Sequence, residues 1–224
     1  MKKEAIVIGA SGLIGNQLVR LLLQENDISK VKIFVRKSIG ITDKKLEEII
    51  VDFKELEHFK DKFQADALFL CIGTTRKKTP NLEDYKAIDF GINIRSAELA
   101  KANNVPKVHL ISSVGADSKA SNFYLKLKGE IEEALINLKF ESTCIYRPSV
   151  LIGKRNESRP METISQKLMP FFDLFMQGKL KKYHSISAKQ VAKAMIENSK
   201  TNYKGVSFLE YTKSKQPLTL DLKD

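Results

Sequence analysis

Apolar residues form short, nearly continuous runs that alternate along the chain with longer segments of helical periodicity. Short apolar runs bounded by turn residues are typical of strands buried on both faces. The predicted strands are Ala5–Gly9, Val31–Val35, Glu48–Val51, Ala67–Cys71, Val108–Ile111 and Thr143–Tyr146, and the predicted helices are Asn16–Gln24, Asp84–Asn103 and Ser121–Leu138. This alternation predicts an α/β fold with a doubly wound parallel sheet and helices on both faces.

The alternation weakens after Pro148. A loop, GKRNESRP, precedes the helical segments Met161–Leu180 and Ser187–Ser199 and a last candidate strand, Val206–Tyr211. No repeat or low-complexity linker divides the chain. We therefore expect one domain over residues 1–224, in which 149–224 form a small C-terminal extension that supplies the substrate side of the site.

A glycine-rich turn follows the first strand directly and opens a helix. It contains Gly9, Ser11, Gly12, Leu13, Ile14 and Gly15. Glycines permit a tight turn, close approach of backbone N–H groups to phosphate, and close packing of helix on strand, while the helix N-terminus attracts negative charge. The spacing G-x-x-G-x-x-G differs from G-x-G-x-x-G, but the strand–turn–helix context predicts a Rossmann-type dinucleotide site.

The second predicted strand ends in Arg36-Lys37, where an acidic residue would bind the ribose hydroxyls of NAD. A cation at this point accommodates the 2′-phosphate, so NADP(H) is favoured over NAD(H); alternatively, either cation is only an exposed charge at the strand end. Asp52 and Phe53 follow the third strand, too late to replace the missing acid, and we expect them beside the adenine.

A Tyr-x-x-x-Lys pair, Tyr124 and Lys128, follows the strand that ends at Ser112-Ser113. Residues four apart share one helix face, and a nearby cation stabilises a phenolate, which suits a tyrosine to proton transfer. Tyr211 and Lys215 match the same spacing, but they lie near the chain end after the last strand. A surface pair on a helix is the alternative for Tyr124 and Lys128.

In these motifs the sequence resembles the atypical short-chain dehydrogenase/reductases. More narrowly it resembles the group of Tat-interacting oxidoreductase-like proteins and their bacterial epimerase-like relatives. The resemblance runs from the first strand to about Pro160 and rests on GASGLIG, CIGTTR, AELAKA, SSVGADSKASNFYLKLKGEIE and RPSVLIGKRNESRP. The last three segments are more specific than any dinucleotide-binding motif.

The resemblance implies a set of roles. Ser11, Gly12, Leu13 and Ile14 would hold the pyrophosphate, Arg36 the 2′-phosphate, and Cys71, Ile72 and Gly73 the nucleotide after the fourth strand. Tyr124 would be the proton donor, Lys128 would bind the nicotinamide ribose, and Leu151 and Arg159 would touch the nicotinamide end. Ser112 has the family spacing to the tyrosine, with Ser113 as the alternative. Ser149 stands where the family commonly has glycine, which leaves the shape of the nicotinamide pocket open.

Composition adds limits to this hypothesis. Of 224 residues 42% are hydrophobic, enough for a core, and Cys71 and Cys144 lie in apolar runs as expected of reduced core thiols. No Cys/His cluster suggests a metal, and His58, His109 and His184 are isolated. The net charge of +11 comes from lysines mixed with acidic residues, so we expect no nucleic-acid partner. Without an apolar leader or span, the chain is expected to be cytoplasmic.

The segment 161–182 combines the apolar run MPFFDLFM with Lys179, Lys181 and Lys182. It could form a wall over the substrate, the surface of a homodimer or of a protein partner, or a peripheral membrane contact. For the whole chain, the leading hypothesis is an NADPH-dependent oxidoreductase acting on a small carbonyl substrate. The alternatives are an NADPH-binding regulatory or sensor protein with little turnover and an epimerase acting on nucleotide sugars, which the short tail disfavours.

Overall fold

A seven-stranded parallel sheet forms the centre of the protein. The computed structural model describes residues 2–149, 151–152 and 186–210. The strands are β1 (Lys3–Ile8), β2 (Ile28–Val35), β3 (Leu46–Ile50), β4 (Ala67–Leu70), β5 (Lys107–Ile111), β6 (Ser142–Arg147) and β9 (Gly205–Glu210), in the order β3-β2-β1-β4-β5-β6-β9. Every neighbouring pair is parallel, which confirms the predicted doubly wound Rossmann-type sheet.

The helices connect these strands. They are α1 (Leu13–Gln24), α2 (Leu82–Lys86), α3 (Asn93–Ala102), α4 (Phe123–Asn137) and α5 (Ala188–Lys200), with a 3₁₀ helix over Phe53–Lys62 and a π-helical segment over Ala87–Ile92. A two-stranded parallel sheet pairs β7 (Leu151–Ile152) with β8 (Ile186–Ser187). Among the described residues, no helix is long and apolar enough to span a bilayer.

Each face of the sheet has its own hydrophobic core. Along β1, Ala5 and Val7 point to one face, and Ile6 and Ile8 to the other, and all four are buried. The first face packs against α1 and α5, and the second packs against the 3₁₀ helix, α3 and α4. Burial on both faces explains why these strands read as continuous apolar runs rather than as alternating ones.

The long helix predicted over Asp84–Asn103 is interrupted. It begins earlier, at Leu82, because the Asn81 side chain accepts hydrogen bonds from the amides of Glu83 and Asp84. Its middle is π-helical and carries Asp89, which is fully buried. An extra residue per turn redirects side chains locally, and such segments are frequent at functional sites.

The elements predicted for the C-terminal part are confirmed where the structure describes them. The predicted helix Ser187–Ser199 is α5, whose N-terminus carries a reciprocal capping box between Ser187 and Gln190, and the predicted last strand is β9. The predicted loop at 153–160 and the helical segment Met161–Leu180 lie outside the described residues. The pairing of β7 with β8 was not predicted from the sequence.

A polar network connects the centre of the sheet to α5. His109 Nδ1 and the Tyr146 hydroxyl are 3.1 Å apart, and the Asn198 amide donates to the same hydroxyl. Phe69 stacks on the imidazole at 4.8 Å between ring centres. Burial lowers the pKa of His109 to about 3, so this imidazole is neutral at physiological pH.

The buried imidazole predicts a pH dependence of stability. The unfolded chain binds a proton at His109 near pH 6.5, whereas the folded protein does not until about pH 3, so acid favours unfolding. Lowering the pH from 7 to 5.5 should therefore reduce the unfolding free energy by about 1 kcal/mol through this group. Urea titrations at the two pH values measure the difference.

His109→Gln should reduce that loss, whatever its effect on stability at pH 7. His58→Gln is the matched control, because it removes an imidazole that is exposed rather than buried. Equal pH dependence in the wild type and His109→Gln would contradict the prediction.

Candidate functional site

The glycine turn after β1 is held by backbone contacts. Gly9 has a φ of +87°, and a Cβ on it would lie 2.6 Å from the carbonyl carbon of Cys71. A Cβ on Gly15 would lie 2.2 Å from the Gly9 oxygen. These two glycines thus serve the turn and the packing of α1 on β1, as the sequence predicts.

The start of α1 is left open to a ligand. Gly12 is its N-cap and no side chain caps the helix, so its first amides have no partner within the helix. Ser11, Gly12, Leu13 and Ile14 line the adjoining cavity. A helix N-terminus with uncapped amides beside a cavity is a suitable place for a phosphate group.

That cavity lies at the carboxyl edge of the sheet and has a volume of about 610 Å³. Small-molecule sites typically measure roughly 300–1,000 Å³. Besides the turn, the residues that line it are Asn16, Gln17, Cys71, Ile72, Gly73, Thr74, Thr75, Arg76, Lys78, Tyr85, Asp89, Ile111, Ser112, Tyr124, Lys128 and Leu151. The dinucleotide turn and the Tyr-x-x-x-Lys pair therefore face one space, and this donor set fits a dinucleotide.

Tyr124 lies near the start of α4. The side chain of Asn122 caps the helix by accepting from the amides of Tyr124 and Leu125 at 3.0 and 3.2 Å. Lys128 follows one turn later, and its Nζ is 5.9 Å from the centre of the Tyr124 ring. Tyr124 is 38% exposed, whereas Lys128 is buried. The predicted helical pair exists and faces the cavity.

Lys128 is balanced by a buried carboxylate. Its Nζ is 3.0 Å from Asp89 Oδ2, and the other carboxylate oxygen, Oδ1, accepts from the amide of Thr74 at 2.6 Å. Gly73 lies beside this pair: a Cβ there would be 3.5 Å from Asp89 and 3.7 Å from Lys128. Because Gly73 has no side chain, nothing at this position separates the ion pair from the cavity that both residues line.

Ser112 also has a buried partner. Its hydroxyl donates to Glu132, which is only 3% exposed. Arg147 binds the same carboxylate with two hydrogen bonds, at 3.0 Å from Nε and 2.5 Å from the terminal nitrogen. Ser112 lines the cavity, but its hydroxyl proton is already donated to Glu132. Ser113 is not part of the cavity wall, and its hydroxyl donates to the Val114 carbonyl.

Cys71 lines the cavity as a neutral thiol. Burial raises its pKa to about 12, so it does not serve as a nucleophile at physiological pH. Cys71 and Cys144 are both free, as expected of core thiols.

Several predicted cofactor residues lie away from the cavity wall. Arg36 and Lys37 are exposed at the end of β2. Asp52 caps the 3₁₀ helix by accepting from the Lys54 amide, and Phe53 begins that helix. These four assignments stay predictions. Leu151 lines the cavity, and Arg159 lies outside the described residues.

The structure adds site residues that the sequence analysis missed, chiefly Asp89, Tyr85, Glu132 and the loop Thr74–Arg76. One signal for Asp89 was available. Asp89, Asn93 and Ser96 follow helical spacing and occupy the buried face of their helix, where polar residues are unusual. The pairing of Glu132 with Arg147 could not be predicted from the sequence, because Arg147 lies 15 residues away on another element.

A parallel doubly wound sheet with this turn and cavity defines an NAD(P)-binding protein with an oxidoreductase-like Rossmann fold. A family model described as NAD(P)H-binding matches residues 9–202, and the chain belongs to this family. The solved structure of the Bordetella bronchiseptica enzyme WbmH in complex with NAD⁺ has the same fold, with a TM-score of 0.72 at 15% identity. The match covers 94% of this chain and 76% of that one.

Sequence relatives identify a narrower group within this NAD(P)H-binding family. Protein HTATIP2 of Rattus norvegicus is 34% identical over 201 residues, which is 88% of this chain and 81% of the relative. Protein FMP52, mitochondrial, of Candida albicans is 33% identical over 210 residues, 90% of each chain. The resemblance to the Tat-interacting group is thereby confirmed.

The predicted cytoplasmic location is wrong by this comparison. The Candida albicans relative and further fungal relatives are named mitochondrial. The prediction depended on the lack of an apolar leader or span, and neither pattern bears on mitochondrial targeting, because those targeting segments are amphipathic.

The Glu132–Arg147 pair predicts a large and specific stability effect. Arg147→Met leaves a carboxylate buried without its cation, which should cost about 3 kcal/mol of unfolding free energy in urea titrations. Adding Glu132→Gln removes the charge while keeping an acceptor for Ser112, and should restore part of that loss.

Arg95→Met is the matched control. Arg95 pairs with Glu57 and Glu98 at the surface, so its loss should cost less than about 1 kcal/mol. Equal costs for the two Arg→Met substitutions would refute the assignment of Arg147.

Proposed function

We propose that this protein is an NADPH-dependent oxidoreductase that reduces a small carbonyl compound. The observation that carries the proposal is one cavity whose wall contains both the uncapped turn at Ser11–Ile14 and the pair Tyr124 and Lys128. A site of this composition can hold a dinucleotide by its phosphates and place a proton donor beside its reactive end.

When bound, a reduced dinucleotide would supply the hydride for the carbonyl carbon. Tyr124 donates its phenolic proton from Oη to the carbonyl oxygen, which yields an alcohol and leaves a phenolate. Lys128, on the same helix face, stabilises that phenolate and would hold the nicotinamide ribose. Asp89 fixes the ammonium in place through the 3.0 Å ion pair. Ser112 can orient the carbonyl oxygen only if its proton is released from Glu132, so Tyr124 is the donor that needs no rearrangement.

A second candidate, an NADPH sensor with little turnover, is supported by a specific observation. Ser112 and Lys128, two of the three side chains required for catalysis, already contact the buried acids Glu132 and Asp89. Tight NADPH binding without oxidation of the cofactor in the presence of carbonyl compounds would favour this candidate.

Tyr124→Phe tests the proton donor. Turnover should fall by about 100-fold or more, since general acid catalysis contributes at least that much. NADPH affinity, measured by cofactor fluorescence, should stay within about twofold, because the phenol acts in the transition state. Tyr203→Phe is the matched control, since the Tyr203 hydroxyl bonds the Val206 carbonyl and lines no part of the cavity. Unchanged turnover in Tyr124→Phe would exclude Tyr124 as the donor.

Arg36→Ala tests the choice of cofactor. Loss of a charge-assisted hydrogen bond to the 2′-phosphate should weaken NADPH binding by about 10-fold or more and leave NADH binding nearly unchanged. Lys37→Ala, measured in the same titrations, shows which of the two cations carries the preference. A wild-type protein that binds NADH as tightly as NADPH would contradict the proposal for NADP(H).

A further inference from the structure

The loop after β4 is anchored by several hydrogen bonds and carries Arg76, which lines the cavity. The Thr75 carbonyl accepts from the amides of Lys78 and Thr79, both at 2.9 Å, and the hydroxyls of Thr74 and Thr79 are 2.8 Å apart. The Tyr85 hydroxyl donates to the Thr74 carbonyl at 3.1 Å, and the Thr74 amide donates to Asp89. These bonds anchor the turn that carries Arg76 to the helix that carries Asp89.

Arg76 is the cation of this wall that lacks a counter-ion among the described residues. Lys128 is paired with Asp89, whereas Arg76 is exposed and forms no ion pair with a described carboxylate. Lys78 lines the same wall. Next to Arg76, the Thr75 hydroxyl is buried without a described hydrogen-bond partner. Thr75 and Arg76 both line the cavity, and a guanidinium and a hydroxyl that lack described partners are groups suited to bind an oxyanion.

The loop that carries Arg76 is linked to the start of α4, the helix that carries Tyr124. Tyr85 contacts Phe123, the residue before Tyr124, with ring centres 5.6 Å apart, and its hydroxyl holds the loop of Arg76. In the sheet, β1 lies between β2 and β4, so the phosphate turn and Arg36 lie on the side of β1 and β2. Arg76 instead follows β4, which lies between β1 and β5, and the helix that carries Tyr124 follows β5.

We propose that Arg76 binds an anionic group, a carboxylate or a phosphate monoester, of the substrate whose carbonyl is reduced at Tyr124. This inference rests on the proposed function and names its substrate class. A guanidinium presents paired N–H donors that match the oxygens of either anion, and binding them at the cavity wall orients the substrate for reaction.

The experiment compares matched aldehydes that differ in charge. NADPH oxidation is measured with benzaldehyde, 4-carboxybenzaldehyde and 4-formylphenyl phosphate, for the wild type, Arg76→Gln and Lys77→Gln. Lys77 is the matched control, because it is an exposed neighbouring cation outside the cavity wall. The wild type and Lys77→Gln should prefer a charged aldehyde by about 10-fold or more in kcat/KM, and Arg76→Gln should lose that preference. Comparison of 4-carboxybenzaldehyde with 4-formylphenyl phosphate shows which of the two anions is bound.

A binding measurement separates this inference from the reductase proposal. Benzoate, phenyl phosphate and benzyl alcohol are titrated calorimetrically into each protein, with NADPH and without it. If no aldehyde is reduced, the reductase proposal fails, yet binding of an anion that Arg76→Gln weakens and Lys77→Gln does not supports the inference. Equal binding of anions by both variants, or no preference for anions in the wild type, overturns it. A loss of about 10-fold or more in NADPH affinity in Arg76→Gln alone also overturns it, by assigning Arg76 to the cofactor.

Discussion

The backbone of Gly9 runs so close to the backbone of Cys71 and Ile72 that no side chain fits between them. This contact joins the end of β1 to the end of β4, at the point where the chain connections leave the sheet in opposite directions. It brings the uncapped start of α1 to the same space as the loop after β4. The cavity, and with it the whole candidate site, depends on that contact.

Buried charge fixes the position of the helix that carries Tyr124. Two carboxylates, Asp89 and Glu132, lie almost out of contact with water, and each is matched by a cation, Lys128 or Arg147. Both pairs converge on α4, the helix that carries Tyr124. Charges buried in this way are costly unless their geometry is fixed, so the pairs hold α4 in one position relative to β6 and to the π-helical segment.

The same pairing bears on whether the protein reduces a substrate or senses its cofactor. Side chains that are already hydrogen-bonded gain less from a new ligand, and Ser112 must exchange its partner before it can donate. Tyr124 and Arg76 are different, because both are exposed at the cavity and neither must leave a described acid to meet a ligand. We therefore propose the phenol for proton transfer and the guanidinium for substrate selectivity.

The sequence by itself determined the parallel sheet, the turn of Gly9–Gly15 and the helix bearing Tyr124 and Lys128, because strand burial, glycine geometry and helical spacing are local properties. It did not determine the π-helical segment, the partners of Lys128 and Ser112, or the hydrogen bonds that anchor the loop of Arg76. Those depend on Asp89, Glu132 and Tyr85, which meet the site through contacts between separate elements. Local patterns specify which groups are present, and only the packing of distant elements decides which hydrogen bonds and charges remain available to a ligand.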